Sequence, residues 1–325
     1  MELIRDRDID PAPLKSKRVA VLGFGNQGRA QSLNLKDSGV DVVVGLRGSS
    51  LNRAIAESFG LTVADLGEAA ESADVVMMLA PDEVLGDLYS EVEPKLRQGA
   101  ALGFSHGLAV HFGYVEPRDD LDVFLVAPKG PGTALRALYK AGRGMVALWA
   151  IAQDRSGSAR DLALAYGRAI GCGRAGLIAS SFEEEAVADL FNENAVVWGG
   201  VPELLRAGFE TLVEAGISPE VAYLECVGEL KLIAELIDAR GIAGMREAIS
   251  NTAELGAVVG GPAIIGPEVR ERMGKVLESV RSGAFAKALR EEARSGYSKL
   301  QAARKSARSE KIERAYARLK DVSAD

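Results

Sequence analysis

Short apolar runs and helical spacings alternate along the first part of the chain. The run RVAVL at 18–22 ends at Gly23, and a helical pattern follows from Gly25 to Ser38. A second β-branched run, DVVVGL at 41–46, comes next, so both runs are predicted to be strands. The same reasoning predicts helices over 50–59 and 67–72, and strands over 61–63, 74–79, 100–104 and 122–126. Continuous apolar strands separated by helices predict an α/β fold, a doubly wound parallel sheet covered on both faces.

The pattern changes after Phe182. Strand-like runs cease, and stretches rich in Ala, Leu and Glu keep a helical spacing to the end of the chain. We therefore predict two domains, 1–181 with the sheet and 182–325 all helical. The charged segment 299–325 is predicted to be an amphipathic helix, with a solvated cap as its simplest role.

Composition narrows the class of protein. The 325 residues are 47% hydrophobic with a net charge of -7, which predicts a large core and argues against nucleic-acid binding. The charged start lacks the apolar segment of a signal peptide, and no run approaches the roughly 18 apolar residues of a membrane span. Cys172 and Cys226 are isolated and suggest no disulfide framework. These features predict a cytoplasmic protein that binds neither membranes nor nucleic acid.

The glycines of VAVLGFGNQG predict a dinucleotide site of Rossmann type. Gly23, Gly25 and Gly28 follow the first strand and open the first helix, which is the context that GxGxxG requires. The first glycine permits a tight turn, and the second lets a pyrophosphate approach the helix N-terminus. Phe24 and Gln27 lie in the same loop. The alternative is a glycine turn without a ligand.

The end of the second strand indicates which nucleotide binds. NAD enzymes usually carry an acidic residue there. This chain has GLRGSSLNR, with Arg47 at that place and Ser49, Ser50 and Arg53 beside it. Cations and hydroxyls suit a 2′-phosphate, so we predict NADPH. The alternative is that both arginines are ordinary surface residues.

Two acidic stripes indicate a metal site. Glu185, Asp189 and Glu193 lie four residues apart on one predicted helix face, and Glu225 and Glu229 repeat the spacing. Leu232 and Leu236 continue the second stripe, so we predict that this face packs inward. Like charges at this spacing repel, and burying unpaired carboxylates is costly. Hard oxygen donors suit Mg²⁺, and two facing stripes could hold two ions. The alternative is two solvated acidic faces.

Two further residues are placed for chemistry at the ligand-binding edge of the sheet. His106 follows the strand at 100–104, and Lys129 follows the next strand within APKGPG. Open α/β sheets bind ligands at the carboxyl ends of their strands. Either residue could contact a substrate there or serve only the fold.

Together these segments resemble ketol-acid reductoisomerase (acetohydroxy acid isomeroreductase) in its short, class I form. The resemblance covers nearly the whole chain and rests on several motifs in order: VAVLGFGNQG, LNLKDSGVDVVVGLR, HGLAVHFG, DVFLVAPKGPG, ADLFNENAV, AGFETLVEAG, ECVGELKLI and GIAGMREAISNTAE. It implies a reaction in which a 2-hydroxy-2-alkyl-3-keto acid undergoes an alkyl shift on two Mg²⁺ ions. NADPH then reduces the new ketone to give a 2,3-dihydroxy acid, in valine and isoleucine synthesis.

The resemblance also implies roles for single residues. Asp189 would bridge the metals and Glu193 would bind one of them, while Glu225 and Glu229 would complete the ligands of the second ion from a partner subunit. Ser250 would hold the substrate carboxylate. The polar network around the substrate would consist of Glu185, Lys129 and His106. We also expect Pro81, Asp82 and Gly132 at the cofactor. In this family the helical domain is knotted and dimeric.

The chain departs from the family pattern near the expected substrate. The usual His-Ala-His of the glycine loop is Arg29, Ala30 and Gln31 here, and changed positions at the substrate are Leu108, Ala109, Val197, Trp198, Gly228 and Ala234. We expect Val197 and Trp198 to line the alkyl pocket. These changes leave open a paralogue that acts on another 2-hydroxy-3-keto acid. A metal-independent β-hydroxyacid dehydrogenase and a non-catalytic NADP sensor are further alternatives.

Overall fold

A single mixed sheet organises the first part of the chain. The structure, a computed structural model, describes residues 2–322 and has nine strands in that range. Their order across the sheet is β1-β9-β8-β7-β6-β5-β2-β3-β4. The strands are β1 Leu3–Ile4, β2 Arg18–Leu22, β3 Asp41–Gly45, β4 Thr62–Ala64, β5 Val75–Met78, β6 Ala101–Phe104, β7 Asp122–Pro128, β8 Ala147–Gln153 and β9 Leu177–Ala179.

Six neighbouring strands of the sheet, in the order β7, β6, β5, β2, β3 and β4, are parallel. They supply the core on both faces of the sheet. Alternate residues of β2 show why: Val19 and Val21 pack in one buried cluster, and Ala20 and Leu22 pack in the other. Side chains on a strand point alternately to opposite faces, so a strand covered on both sides must be apolar throughout. The continuous run RVAVL was therefore a correct signal for a central strand.

The prediction that the series of strands ends at 122–126 and is wholly parallel was wrong. β8 pairs with β7 in antiparallel fashion, β9 adds parallel to β8, and β1 adds antiparallel to β9. β8 has the sequence ALWAIAQ and is only partly buried. Its alanines carry little strand propensity, and β1 and β9 are too short for a periodic pattern.

Helices cover both faces of this sheet. Those up to β9 are α1 Ala12–Lys15, α2 Asn26–Asp37, α3 Asn52–Ser58, α4 Leu66–Ser72, α5 Leu85–Val92, α6 Leu108–His111, α7 Gly132–Lys140 and α8 Ala159–Ala169. The predicted helices 25–38, 50–59 and 67–72 correspond to α2, α3 and α4. α2 carries the glycine loop at its start, so its position decides where a nucleotide binds.

The rest of the chain is helical, as predicted; no strand occurs between 182 and 322. Its helices are α9 Phe182–Ala195, α10 Gly200–Glu214, α11 Pro219–Tyr223, α12 Leu230–Glu247, α13 Asn251–Ile264, α14 Pro267–Arg281, α15 Ala284–Arg294, α16 Ser298–Ala307 and α17 Lys311–Val322. A π-helical turn at Leu224–Gly228 joins α11 to α12, and Gly241 kinks α12. Among the described helices, none is both long and apolar enough to cross a bilayer.

The chain divides into two compact units between Ala188 and Asp189, inside α9. This division differs by a few residues from the domain boundary predicted at residue 181, which stays a prediction. Helix α9 is continuous through the division and carries residues of both units. Helices over 298–322 agree with the predicted helical tail.

Candidate active site

Each glycine of the GxGxxG loop has a distinct structural reason. Gly23 has φ +110°, and a Cβ there would lie 2.5 Å from the carbonyl oxygen of Leu79. A Cβ on Gly28 would lie 2.4 Å from the carbonyl oxygen of Gly23, so α2 packs tightly under the loop. Gly25 caps α2 and faces open space. Packing therefore does not require this glycine, whereas close approach of a pyrophosphate would.

A second helix begins beside this loop. A Cβ on Gly132, the first residue of α7, would lie 2.2 Å from the carbonyl oxygen of Asn26. The Asn26 side-chain oxygen accepts a hydrogen bond from the backbone N–H of Thr133 at 2.8 Å. Two helix N-termini thus lie side by side at the glycine loop, and each contributes the positive end of its helix dipole. A cavity of about 530 Å³ here is lined by Phe24, Gly25, Asn26, Gly132 and Thr133 among others. It suits a diphosphate.

The other side of the loop forms a smaller cavity of about 200 Å³. Gly23, Arg47, Ser50 and Pro81, all predicted at the cofactor, line it together with apolar side chains. The Arg47 side chain is largely exposed at its rim and lies 3.5 Å from a carboxylate oxygen of Glu91. An apolar slot with a cation at its rim suits an adenosine and its ribose.

Arg53, near the start of α3, is bonded to the protein on two sides. Its Nη1 donates to the carbonyl oxygen of Leu46 at 2.8 Å and to Asp65 at 2.9 Å. The guanidinium therefore ties the loop after β3 to the segment after β4. These bonds use Nη1, and a contact of Arg53 with the cofactor stays a prediction. Ser49 is exposed in this loop, and Asp82 begins a 3-10 turn after β5.

His106, Lys129 and Glu185 form one hydrogen-bonded network. One carboxylate oxygen of Glu185 lies 2.8 Å from His106 Nδ1 and accepts the Gly107 N–H at 2.7 Å. The other oxygen accepts from Lys129 Nζ at 2.8 Å. Glu185 is only 1% exposed. Burial alone would raise the pKa of Glu185, but His106 and Lys129 lower it to about 2. The ionised carboxylate requires that His106 carry its proton on Nδ1.

The topology explains this convergence. His106 and Lys129 follow β6 and β7, which are parallel neighbours, so both residues leave the sheet at its carboxyl edge. The first turn of α9 packs against the segment after β6: a Cβ on Gly107 would lie 2.2 Å from the carbonyl oxygen of Phe182. Only glycine permits this approach, which brings Glu185 to its partners. The structure thus joins three residues that are spread over 79 positions of the sequence.

Helix α9 presents its acidic stripe as the spacing predicted. Carboxylate oxygens of Glu185 and Asp189, one turn apart on this helix, lie within 4.8 Å of each other. Asp189 is partly buried and Glu193 is exposed. Glu183 and Glu184 lie on the exposed side, as expected for solvated charge. Two carboxylates this close favour a bound cation, and both oxygens of Glu185 already accept hydrogen bonds.

The second stripe lies where it was not expected. We predicted that the face with Glu225, Glu229, Leu232 and Leu236 packs inward, but Glu225, Glu229 and Leu232 are exposed in the chain. Glu225 lies in the π-helical turn Leu224–Gly228 and Glu229 follows it. Periodicity groups residues on one face of a helix, but it does not tell whether that face is covered. π-helical turns are rare and frequently occur at functional sites.

The predicted substrate residues lie on the surface of the second unit. Ser250 caps α13, and its hydroxyl accepts a hydrogen bond from the Ala253 N–H at 3.2 Å. Val197 and Trp198 lie in the turn between α9 and α10, and Trp198 is 63% exposed. Their contacts with a substrate stay predictions.

Sequence reasoning missed the polar residues that hold the loops of this site in place. Gln27 was expected to touch the cofactor, but its amide donates to the Gly130 carbonyl oxygen at 2.9 Å and accepts from Gln31 at 3.0 Å. Gln31 had stood out only as a departure from a pattern. The available signal was the presence of polar side chains on the inner face of a helix that covers a sheet.

Comparisons with known families agree with this geometry. Residues 13–176 match the family profile described as acetohydroxy acid isomeroreductase, NADPH-binding domain. Residues 182–324 match ketol-acid reductoisomerase, C-terminal domain. The two matches together cover most of the chain, in the order of the two structural regions.

Solved structures give the same result. The chain is 44% identical to an NADH-preferring ketol-acid reductoisomerase from an uncultured archaeon, with TM-score 0.95 and 99% of each chain covered. A semialdehyde dehydrogenase NAD-binding protein from Cupriavidus necator shares the fold at 19% identity and TM-score 0.62, covering 82% of this chain and 99% of its own. From two domain matches and a full-length structural match, with a dinucleotide loop beside a buried His–Glu–Lys network, it follows that the chain belongs to the ketol-acid reductoisomerase family, the NAD(P)H-dependent reductoisomerases of branched-chain amino acid synthesis.

Proposed function

We propose that the substrates are 2-hydroxy-2-alkyl-3-keto acids of the acetolactate type, which the protein converts to 2,3-dihydroxy acids. The observation that carries this proposal is the buried network of Glu185 with His106 and Lys129, at the same sheet edge as the glycine loop. An alkyl shift within a hydroxy-keto acid moves a proton from a hydroxyl and builds negative charge on an oxygen. An imidazole and an ammonium held by one carboxylate supply a proton relay and a cation for these changes.

Glu185 serves this network by staying ionised. Its low pKa keeps a negative charge between the two basic side chains, which favours the ammonium form of Lys129 and fixes the tautomer of His106. In our proposal the Lys129 ammonium donates to a substrate oxygen, and His106 exchanges a proton with a hydroxyl of the substrate through its other ring nitrogen, Nε2.

We infer that two Mg²⁺ ions bind at Asp189, Glu193, Glu225 and Glu229. Four carboxylates and no sulfur ligand match the preference of Mg²⁺ for oxygen, and the closeness of Asp189 to Glu185 on α9 supports a cation there. When bound, the ions polarise the oxygens of the substrate. Asp189→Asn should abolish isomerisation, and full activity in EDTA would contradict the metal requirement.

For the cofactor we propose NADPH. The similar archaeal protein prefers NADH, so membership of the family does not decide the choice. Support comes from Arg47, whose exposed guanidinium stands at the rim of the small cavity where NAD enzymes place an acid. Ser49 and Ser50 add hydroxyl donors in the same loop.

A homodimer with shared active sites is the assembly we propose. The exposed carboxylates of Glu225 and Glu229 adjoin exposed apolar side chains of α12 and α13, and soluble monomers rarely leave such surfaces open. The most exposed of these side chains are Leu232, Ile242, Leu255, Val258, Val259 and Ile264. A second chain would bury them and bring its Glu225 and Glu229 to the site. The knotted topology of the helical domain, its cytoplasmic location and a domain boundary at residue 181 remain part of the same proposal.

The decisive experiment measures NADPH oxidation with 2-acetolactate and with 2-aceto-2-hydroxybutyrate, with and without Mg²⁺. Turnover of either acid that requires Mg²⁺ is expected. Absence of turnover of both acids, with metal and cofactor bound, would favour a paralogue with another 2-hydroxy-3-keto acid as substrate.

Trp198 is our candidate for the choice between these two acids. An indole fills space that a smaller side chain leaves open, and one methylene in such a pocket changes discrimination by about 1–3 kcal/mol. Trp198→Cys should therefore raise kcat/KM for 2-aceto-2-hydroxybutyrate more than for 2-acetolactate, unless Ala234 already provides room. An unchanged ratio would show that Trp198 does not contact the alkyl group.

A further inference from the structure

Gln31 lies at the centre of a buried polar chain in the first unit. Its side chain is 0% exposed, on the inner face of α2. The amide oxygen accepts a hydrogen bond from the Tyr166 hydroxyl at 2.6 Å. The amide nitrogen donates to Ser105 Oγ at 2.9 Å and to Gln27 Oε1 at 3.0 Å. Gln31 thus uses its acceptor and both of its amide protons.

The two ends of this chain lie next to the catalytic network. Ser105 directly precedes His106 at the end of β6. Gln27 extends the hydrogen-bonded chain to the second residue of the network. Its amide donates to the carbonyl oxygen of Gly130 at 2.9 Å, and Gly130 directly follows Lys129. One side chain of the cofactor helix therefore connects the backbones that carry His106 and Lys129.

The chemistry of a primary amide explains why glutamine suits this position. It accepts at one end and donates two protons at the other, without a charge that burial would penalise. Burial raises the pKa of Tyr166 well above its usual 10, so the hydroxyl stays protonated and remains a donor. A fully satisfied buried network is rigid, and loss of one member leaves the other members unpaired.

We propose that Gln31 is a positioning residue for the reaction: through Ser105 and through Gln27 with Gly130 it holds His106 and Lys129 in register with the helix that binds the cofactor. The proposal rests on the proposed function, because His106 and Lys129 must act on the substrate for their register to matter. A displacement of about 1 Å in such a site can lower the rate about 100-fold.

The test compares Gln31→Leu with a matched control on the same helix. Asn34 is also a buried amide of α2, and it bonds the Ile170 carbonyl oxygen and Arg136, away from the catalytic loops. Both variants bury an apolar side chain and leave hydrogen-bond partners unpaired. Thermal unfolding should thus show a fall in Tm of similar size for Gln31→Leu and Asn34→Leu, about 5 °C or more.

Kinetic measurements distinguish a positioning role of Gln31 from a purely structural role. In Gln31→Leu, kcat for NADPH oxidation with 2-acetolactate should fall about 100-fold, with KM for NADPH changed less than threefold. With NADPH deuterated at the transferred position, the isotope effect on kcat should fall towards 1, because the alkyl shift that His106 and Lys129 serve becomes slower than hydride transfer. Asn34→Leu should keep the kcat and the isotope effect of the wild type. Equal kcat and isotope effects in the two variants would overturn the proposal.

Two milder variants keep the test informative if Gln31→Leu does not fold. Tyr166→Phe removes only the hydroxyl that donates to Gln31, and Ser105→Ala removes only one acceptor. Each should lower kcat about tenfold with a decreased isotope effect, and wild-type kinetics in both would overturn the proposal. Failure of the wild type itself to turn over either acid would instead overturn the proposed function.

Discussion

Glu185 shows how strongly one residue depends on its surroundings. A carboxylate that is 1% exposed is normally unfavourable, yet three donors surround it: the imidazole of His106, the ammonium of Lys129 and the N–H of Gly107. These donors lower the pKa of Glu185 to about 2 from its ordinary value of 4.5. The native state thus binds a proton at Glu185 less readily than the unfolded chain does.

Replacement of Glu185 should reveal this difference as a function of pH. The ionised carboxylate stabilises the native state above about pH 4.5, and this stabilisation is lost as the pH falls towards 2, on the order of 3 kcal/mol in total. In urea unfolding, the free energy of unfolding of the wild type should be well above that of Glu185→Gln at pH 7. The two values should be closer at pH 3. The exposed Glu183→Gln is the control, with a change below about 0.5 kcal/mol. A gap that does not narrow at low pH would contradict the assignment.

The same variant should be almost inactive. Glu185→Gln keeps the shape of the side chain but loses the charge that pairs with Lys129 and the acceptor that orients His106. We expect kcat for NADPH oxidation with 2-acetolactate to fall about 10²- to 10⁴-fold. Glu183→Gln should retain wild-type kcat, and a Glu185→Gln enzyme with normal turnover would remove the network from the mechanism.

At the scale of the element, the loop between β3 and α3 and the start of α3 each carry one arginine, and the two arginines have different contacts. Arg47 is exposed at the rim of the cavity, and Arg53 is bonded to Leu46 and Asp65 beneath it. Arg47→Asp should raise KM for NADPH about 10- to 150-fold and improve the use of NADH, because a charge-assisted contact is lost. Arg53→Gln should weaken both cofactors alike, because the loop loses its support. Kinetic measurements with NADPH and with NADH test both predictions. If Arg53→Gln selectively weakens the use of NADPH, Arg53 rather than Arg47 would be the residue that selects this cofactor.

The start of α9 depends on the glycine before α6. Gly107→Ala would place a methyl group 2.2 Å from the backbone oxygen of Phe182, so α9 must shift and the bond from Glu185 to His106 must weaken. Overpacking of this kind costs about 1–3 kcal/mol, and kcat should fall with it. Gly67→Ala in α4 is the control, because its Cβ would meet only Lys95 at 3.6 Å and alanine favours a helix. Equal activity of both variants would show that α9 tolerates the shift.

At the scale of the whole molecule, the second unit leaves much apolar surface uncovered. Val259 is 67% exposed and Leu255 is 66% exposed, both on α13. Within this unit the buried cluster that we can describe contains Phe209, Ala222 and Ala315. Exposed aliphatic side chains in this number are typical of surfaces that a partner subunit covers, which supports the proposed homodimer.

Shared active sites can be tested by mixing two inactive proteins. Asp189→Asn and Glu229→Gln should each abolish turnover. In a mixed dimer, one site would contain both changes and the other would contain neither. After co-refolding in equal amounts, activity should return to about a quarter of wild type, since half of the dimers are mixed and each has one intact site. Sites built from a single chain would give no recovery, and a protein that elutes as a monomer would exclude the scheme.

Local physics alone determined several features of this protein. The β-branched runs had to be central strands, because only a strand buried on both faces is apolar at successive positions. The glycine loop predicted a nucleotide site, since its turn and its close approach need particular backbone geometry. The stripe of Glu185, Asp189 and Glu193 followed from helical spacing. Each of these depends on residues close together in the sequence.

Only the tertiary structure decided what each side chain contacts. The position of Arg53 in the sequence predicted a place at the cofactor, and folding adds bonds from its guanidinium to Asp65 and to the Leu46 carbonyl oxygen. Glu185 belonged to the metal stripe by spacing, yet its partners come from two loops far along the chain. Gln31 looked like a simple departure until Tyr166 and Ser105 surrounded it. Spacing fixes the face of an element on which a residue lies, whereas the residues opposite that face come from distant parts of the chain that only folding brings together.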